Sequence, residues 1–279
     1  MKDKIIRYGL GTLLLLIVAL GLLGIKSLLF VVSIIFIIIG LREYRNILSN
    51  ISVYPHKFLP EIICILISLV LCFSTGTSTA QNLVTPLLVL GVMISFVITI
   101  IRNKKPYLLT TLTTIGGILL TFCGMYMIKL TYLAKYKGNF SSLLIIAYII
   151  AILLSDYLAS IIGPLFKNWK SLSKEISPNK TLAGSIAHLL TSIISSMILL
   201  KIIGYNHLLS IGFGIIISIF AQFGDLAIST IKRDCGVEHS GKFFLSYGGF
   251  LDRMDSFIFS APALYYYLFI MLYIYKQPV

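Results

Sequence analysis

The chain has 279 residues, of which 58% are hydrophobic and 12% are charged, and its formal net charge is +13 at pH 7. Soluble domains carry about 25% charged residues, so the composition excludes an ordinary soluble protein. Apolar stretches of about 17 to 25 residues, the length that crosses a membrane as a helix, recur along the whole chain. They predict an all-α, polytopic integral membrane protein with about nine transmembrane helices, at 8–24, 27–42, 59–76, 84–101, 110–133, 141–163, 182–204, 208–231 and 256–275.

Basic residues are concentrated in alternate loops. Most of the 23 lysines and arginines fall at the N-terminus or in the loops 42–58, 102–107, 167–181 and 232–255. The positive-inside rule therefore predicts that these segments are cytoplasmic. The positive charge is explained by this topology and by attraction to anionic lipid, so we expect no nucleic-acid partner.

The two halves of the chain differ in polar content. Residues 1–140 contain few acidic residues and no motif, and we expect them to form a scaffold, a lipid entry or a dimer surface. Glu43 and Glu61 are predicted to lie at the membrane interface, and His56 and His188 to be structural or interfacial. Residues 141–279 are predicted to be the catalytic region.

The eighth apolar stretch carries polar residues at helical spacing. They recur at intervals of three or four residues and share one helix face: Gln222, Asp225, Ser229 and Lys232. At 1.5 Å per residue, Asp225 lies about 10 Å below Lys232, at the depth of the hydrocarbon. A carboxylate there must face protein or water and meet a cation. A structural ion pair, for example with Lys180 or Lys242, is the alternative explanation.

The segment before the last stretch holds a second group of carboxylates. Asp252 and Asp255 are three residues apart and share a face of a first helical turn. Oxygen ligands without neighbouring His or Cys favour Mg²⁺ over Zn²⁺. Gly248 and Gly249 permit the close backbone approach that phosphate-binding turns use. A capping role would by itself explain Asp252.

Two more features belong to the same predicted cytoplasmic side. Asp156 lies about two turns inside the end of the sixth stretch. Lys180 and Thr181 precede the seventh helix, where a cation, a hydroxyl and free N–H groups together hold phosphate. The other lysines of this loop are also explained as ordinary positive-inside residues. Carboxylates with Mg²⁺, phosphate-binding groups and access to lipid indicate chemistry on a phosphorylated lipid with a nucleotide.

Four motifs carry a family resemblance between residues 150 and 260. In chain order they read DYLASIIG, SPNKTLAG, QFGDL followed by STIKR, and GGFLDRMDS. Their order and spacing resemble the signature of the phosphatidate cytidylyltransferases, the CDP-diacylglycerol synthases. The resemblance implies a Mg²⁺-dependent reaction of CTP with phosphatidic acid that gives CDP-diacylglycerol and pyrophosphate. It also implies a bacterial inner-membrane protein with a cytoplasmic active site, and a homodimer is possible.

The resemblance also implies residue roles. Metal ligands would be Asp225, Asp252 and Asp255, with Asp156 close by. Catalytic residues would be Asp225, Asp252, Lys232 and Arg253, the last two contacting phosphates. Nucleotide or lipid phosphate would be bound by Ser177, Lys180, Thr181, Arg233, Gly248 and Gly249.

The chain departs from the family pattern in the loop between the last two motifs. Glu238-His239 replaces Lys-Asp, and Leu245-Ser246-Tyr247 replaces Pro-Gly-His. Three alternatives therefore stay open: a CTP-dependent enzyme acting on a different lipid phosphate, a paralogue that binds without turnover, and a transporter or channel. The acidic residues cluster toward one side of the membrane, which disfavours the transporter because its charges would line a path through the midplane.

Overall fold

A computed structural model describes residues 26–73, 77–102, 106–135, 141–166, 171–173, 175–244 and 248–275. Within these residues it contains eight helices and one two-stranded antiparallel hairpin. The helices are α1 (Lys26–Ser49), α2 (Leu59–Phe73), α3 (Thr77–Arg102), α4 (Tyr107–Lys135), α5 (Ser141–Leu165), α6 (Leu182–Ile202), α7 (His207–Asp234) and α8 (Leu251–Tyr275). The strands are β1 (Ser171–Ser173) and β2 (Ser177–Thr181).

The helices confirm the predicted fold class, an all-α polytopic membrane protein. In the described residues, six helices are long and apolar enough to cross a membrane, and they are α3 to α8. Helix α2 has 15 residues and is shorter than a typical span. The predicted stretch 8–24 lies outside the described residues, so the count of nine spans is not confirmed.

The hairpin was not predicted, because the sequence between α5 and α6 reads as a loop. Ser171 pairs with Thr181 and Ser173 with Ser177, with a bulge between the two pairs. Pro178 is tolerated in β2 because each strand of a two-stranded sheet has a free edge. The hairpin sets the entry to α6, where the Thr181 side chain caps the helix by accepting from the Gly184 N–H.

The described chain forms two compact units. The first contains the residues up to Ile128 together with Ile231–Met254. In it, Gly91 of α3 lets that helix approach Ile63 and Ile118, and Gly117 of α4 packs against Leu41. Glycines at these crossings allow the close helix packing that is common in membrane bundles.

A polar contact fastens the α1–α2 loop of the first unit. The buried ring of His56 contacts Thr99 Oγ1 through Nε2 at 3.0 Å, and its Nδ1 faces Arg102 Nη1 at 3.3 Å. The His56 backbone N–H donates to Thr114 Oγ1. Since the guanidinium is always a donor, Nδ1 accepts and the ring is neutral in this arrangement. Burial, and then the Arg102 charge, hold the pKa of His56 below its ordinary value.

The second unit contains residues Lys129–Thr230 and those from Asp255 onward. Helices α5 and α6 approach at two glycines: a Cβ on Gly184 would lie 3.3 Å from the Gly163 Cα. Helices α6 and α7 meet where the Ser192 hydroxyl donates to the Gly214 carbonyl at 2.8 Å. The Tyr148 hydroxyl of α5 lies 2.7 Å from the Ser260 hydroxyl of α8. Small residues and side-chain hydrogen bonds thus supply the packing of this membrane unit.

Candidate functional site

In the first unit, Lys232 and Asp252 form an ion pair at the turn that enters α8. The Lys232 ammonium donates to Asp252 Oδ1 at 2.6 Å, and both side chains are largely buried. Asp252 Oδ2 accepts the backbone N–H groups of Ser240 and Gly249, at 2.8 and 2.9 Å. Both carboxylate oxygens therefore have donors within the protein. The contact with Gly249, three residues earlier, is the capping role that the sequence left as an alternative.

Gly248 and Gly249 leave room for carboxylates of the protein itself, because a side chain at either position would collide with one. Gly248 has φ +93°, and a Cβ there would lie 3.1 Å from His239 Nδ1 and closer still to Asp252 Oδ2. A Cβ on Gly249 would overlap Ser240 Oγ and Glu43 Oε2. The groups that approach the turn closely include the side chains of Asp252 and Glu43, and phosphate binding at Gly248 and Gly249 stays a prediction.

Glu43 is buried within the protein, and its predicted position at the membrane interface stays a prediction. Its residue is 6% exposed, and its carboxylate accepts from the Ser240 hydroxyl and from the N–H groups of Phe250 and Leu251. An acidic residue near the polar end of an apolar helix has the pattern of an interfacial residue. The partners of Glu43 lie about 200 residues away in the chain, and one sequence carries no signal for such a contact.

In the second unit, Asp225 is in contact with the ammonium of Lys180 on β2. Ser229 Oγ lies 3.4 Å from Asp225 Oδ1, and Gln222 contacts Ser185 of α6. The polar stripe of α7 thus faces protein, as the cost of a lipid-facing carboxylate requires. Lys180 is one of the two partners that the sequence named for an ion pair with Asp225, and the role of Asp225 as a metal ligand stays a prediction.

A second polar chain in this unit links Asp156 to α7 through His188. His188 Nε2 lies 3.1 Å from Asp156 Oδ1, and its Nδ1 lies 2.7 Å from Ser218 Oγ. Ser218 in turn accepts from Gln222 at 3.1 Å. His188 is buried, whereas about half of the Asp156 side chain is exposed. The sequence assigned His188 no partner because its partners lie on two other helices, Asp156 on α5 and Ser218 on α7.

The remaining predicted residues occupy varied positions. Asp255 is buried, and its Oδ1 accepts the Ser256 N–H at 2.7 Å. A Cβ on Gly224 would overlap the Asp255 backbone oxygen, so α7 and α8 are in backbone contact beside Asp225. The Thr181 hydroxyl accepts from Gly184 and donates to the Gly163 carbonyl, so it is occupied by the cap. Ser177 is half-buried on β2, and the exposed side chains are those of Arg233 and Arg253.

The donor chemistry of these carboxylates fits Mg²⁺, which prefers oxygen ligands. Among the described residues, no group of three His, Cys, Asp or Glu side chains is close enough to hold a metal ion. Mg²⁺ sites commonly use only one or two carboxylates and complete the shell with water and substrate phosphates. A three-aspartate metal unit therefore stays a prediction, and one- or two-carboxylate binding fits the residues present.

Comparison with known proteins places the chain in a family. The model of the cytidylyltransferase family matches residues 5–271. A phosphatidate cytidylyltransferase of Staphylococcus haemolyticus is 43% identical over 40% of this chain and 43% of its own length. That of Staphylococcus saprophyticus is 36% identical over 48% of this chain and 51% of its own. The uncharacterized protein YnbB of Escherichia coli is 34% identical over 45% of this chain and 42% of its own length.

The alignments with the curated relatives are partial, since the chain spans about half their length or less. The family match, in contrast, extends over nearly all of the sequence and includes every residue singled out above. The chain belongs to the cytidylyltransferase family.

Proposed function

We propose that this protein is a phosphatidate cytidylyltransferase that condenses CTP with phosphatidic acid. The observation that carries the proposal is the family match over residues 5–271, which includes the Lys232–Asp252 turn. Two relatives with this name, 36% and 43% identical, support the same substrates. The membrane-crossing helices fit a lipid substrate that stays in the bilayer.

In the proposed reaction, a phosphate oxygen of phosphatidic acid attacks the α-phosphorus of CTP. A phosphorus–oxygen bond forms to the lipid, the bond from the α-phosphorus to the bridging oxygen breaks, and pyrophosphate leaves with the electron pair. The attacking phosphate is already ionised, so the residues need not remove a proton. Their contribution is alignment and charge neutralisation.

The side chains divide this work between binding and orientation. Lys232, Arg233 and Arg253 supply positive charge for the phosphates, and Asp252 fixes the Lys232 ammonium. Lys180 offers a second ammonium, held by Asp225. Bound Mg²⁺, with Asp225, Asp252, Asp255 or Asp156 as ligands, would neutralise charge on the phosphates and on the leaving pyrophosphate.

The proposal includes a bacterial inner-membrane location with the site on the cytoplasmic side, where CTP is present. The concentration of lysine and arginine in the loops 167–181 and 232–255 supports this orientation. A homodimer is part of the proposal and rests on the resemblance alone.

The test is a turnover assay with the purified protein in mixed micelles. Labelled CTP, Mg²⁺ and phosphatidic acid are expected to give CDP-diacylglycerol and pyrophosphate in equal amounts. The parallel reactions replace phosphatidic acid with an isoprenyl phosphate or another lipid phosphate. Product from one of these and none from phosphatidic acid would replace the acceptor in the proposal. Absence of CTP turnover with every acceptor would support the binding paralogue instead.

A further inference from the structure

Glu43 connects the N-terminal half of the chain to the segment that bears Lys232 and Asp252. Its Oε1 accepts the Phe250 N–H at 2.8 Å, and its Oε2 accepts the Leu251 N–H and the Ser240 hydroxyl, both at 2.9 Å. All three donors are uncharged groups of residues 240–251. A buried carboxylate with this set of partners holds backbone in place.

The two backbone N–H groups bound by Glu43 lie where a helix has no acceptors of its own for them. The first N–H groups of a helix lack intrahelical acceptors, and α8 begins at Leu251. Glu43 supplies the acceptor from α1, and its negative charge complements the positive end of the helix dipole. The start of α8 is therefore fixed to α1 within the first unit.

Glu43 also reaches Asp252 through one shared hydroxyl. Ser240 Oγ donates to Glu43 and accepts the Asp252 N–H at 3.3 Å, while the Ser240 N–H donates to Asp252 Oδ2. A Cβ on Gly241 would lie 2.6 Å from Glu43 Oε1, so the chain has no side chain where the carboxylate enters. A continuous series of hydrogen bonds thus links Glu43 through Ser240 and Asp252 to Lys232.

We infer that Glu43 is a positioning residue for nucleotidyl transfer: it fixes the Gly249–Asp252 turn and, through it, the Lys232 ammonium. Its catalytic consequence rests on the proposed function, whereas the anchoring itself does not. Glu43 acts through Asp252 and Lys232, because its own oxygens are occupied by the turn. The N-terminal helices then contribute to the geometry of the site as well as to the scaffold.

Glu43→Gln is the first test, because it keeps the shape of the side chain and puts an amide donor against an N–H or hydroxyl donor. We expect the peptide covering residues 248–254 to exchange its amide hydrogens about tenfold faster or more, since the Phe250 and Leu251 hydrogen bonds weaken. We expect kcat per folded enzyme to fall about 10- to 100-fold, the effect of misplacing a reacting group by a fraction of an ångström to one ångström. The apparent KM for phosphatidic acid is expected to change much less than kcat.

Glu61→Gln is the matched control. Glu61 lies in the same unit and pairs with Arg45, and the substitution is chemically identical. It is expected to leave both the exchange of residues 248–254 and kcat at wild-type values. Ser240→Ala, which removes only the bridging hydroxyl, is expected to change both quantities in the same direction by about three- to tenfold and decides the matter if Glu43→Gln does not fold.

The outcomes separate the inference from the proposed function. Unchanged exchange of residues 248–254 in a folded Glu43→Gln protein would overturn the anchor. Faster exchange with unchanged kcat, or an equal loss of kcat in Glu61→Gln, would overturn the positioning role. If the wild-type protein does not convert CTP and phosphatidic acid, the proposed function fails, and the exchange measurement still decides whether Glu43 anchors the turn.

Discussion

Asp225→Asn distinguishes a structural ion pair from a group that takes part in turnover. The substitution keeps the shape of the side chain and removes the charge that faces Lys180. The Lys180 side chain is 34% exposed and the Asp225 side chain 30%, which places the pair between a surface pair and a buried one. Exposed pairs contribute about 0.2–1 kcal/mol, and breaking a buried pair costs about 3–5 kcal/mol. We expect a loss of about 1–3 kcal/mol in the free energy of unfolding.

If Asp225 also aligns phosphates or binds Mg²⁺, its loss raises the activation free energy of the reaction as well as lowering the free energy of unfolding. A 100-fold fall in kcat corresponds to about 2.7 kcal/mol of transition-state stabilisation. The assay compares wild type, Asp225→Asn, Lys180→Met and the double variant by thermal unfolding in detergent and by kcat against Mg²⁺ concentration. We expect the stability losses to be non-additive, because the double variant leaves no unpaired charge. We also expect kcat to stay at least 100-fold low in both Asp225→Asn proteins.

The refuting result is specific. If Asp225→Asn retains near-normal kcat per folded enzyme with an unchanged Mg²⁺ dependence, Asp225 has only the structural role that its contact with Lys180 provides. A recovery of kcat in the double variant would lead to the same conclusion, because turnover would then follow the integrity of the pair.

Three other predictions test the phosphate contact, a buried histidine and the topology. Lys232→Ala is expected to raise KM for CTP about 10- to 100-fold in steady-state kinetics without removing the Mg²⁺ requirement, while Lys242→Ala, at an exposed lysine nearby, leaves KM unchanged. The folded-state pKa of His56 is lowered, so its neutral form stabilises the fold above about pH 6.5 and this contribution is lost as pH falls toward the folded-state pKa. In thermal unfolding at pH 7.5 and 5, wild type is therefore expected to lose more stability than His56→Gln; equal losses would contradict the assigned contacts. A cysteine introduced by Lys174→Cys is expected to resist a membrane-impermeant thiol reagent applied to intact cells, and labelling above that of the parent chain would contradict the cytoplasmic site.

The sequence predicted those features of the fold and site that depend on local patterns. Hydropathy located the helices α1 to α8, and spacing placed Asp225 on the polar face of α7. It also marked Asp252 and Lys232, which the structure joins in one ion pair. Local patterns were sufficient for these features because helix periodicity and membrane length operate within one segment.

The contacts that Glu43 and His188 make with distant segments were not predicted. Glu43 looked interfacial, and His188 looked isolated, because the partners of each lie on other helices. The hairpin was missed because five residues of polar strand carry no hydrophobic alternation. For Asp225, its position on a polar helix face left a metal ligand and an ion pair as alternatives, and the structure shows that Lys180 is in contact.

The Thr181 cap also determines where this chain tolerates changes in length. Its hydroxyl is fastened to the Gly163 carbonyl of α5 and the Gly184 N–H of α6, at the point where those two helices touch through their glycines. An insertion between β1 and β2 enlarges the turn of the hairpin and leaves this junction intact. An insertion between Thr181 and Gly184 separates the hydroxyl from one helix and moves Lys180 with it. The connection therefore has one permissive part, the turn of the hairpin, and one constrained part, the junction of Thr181 with the two helices.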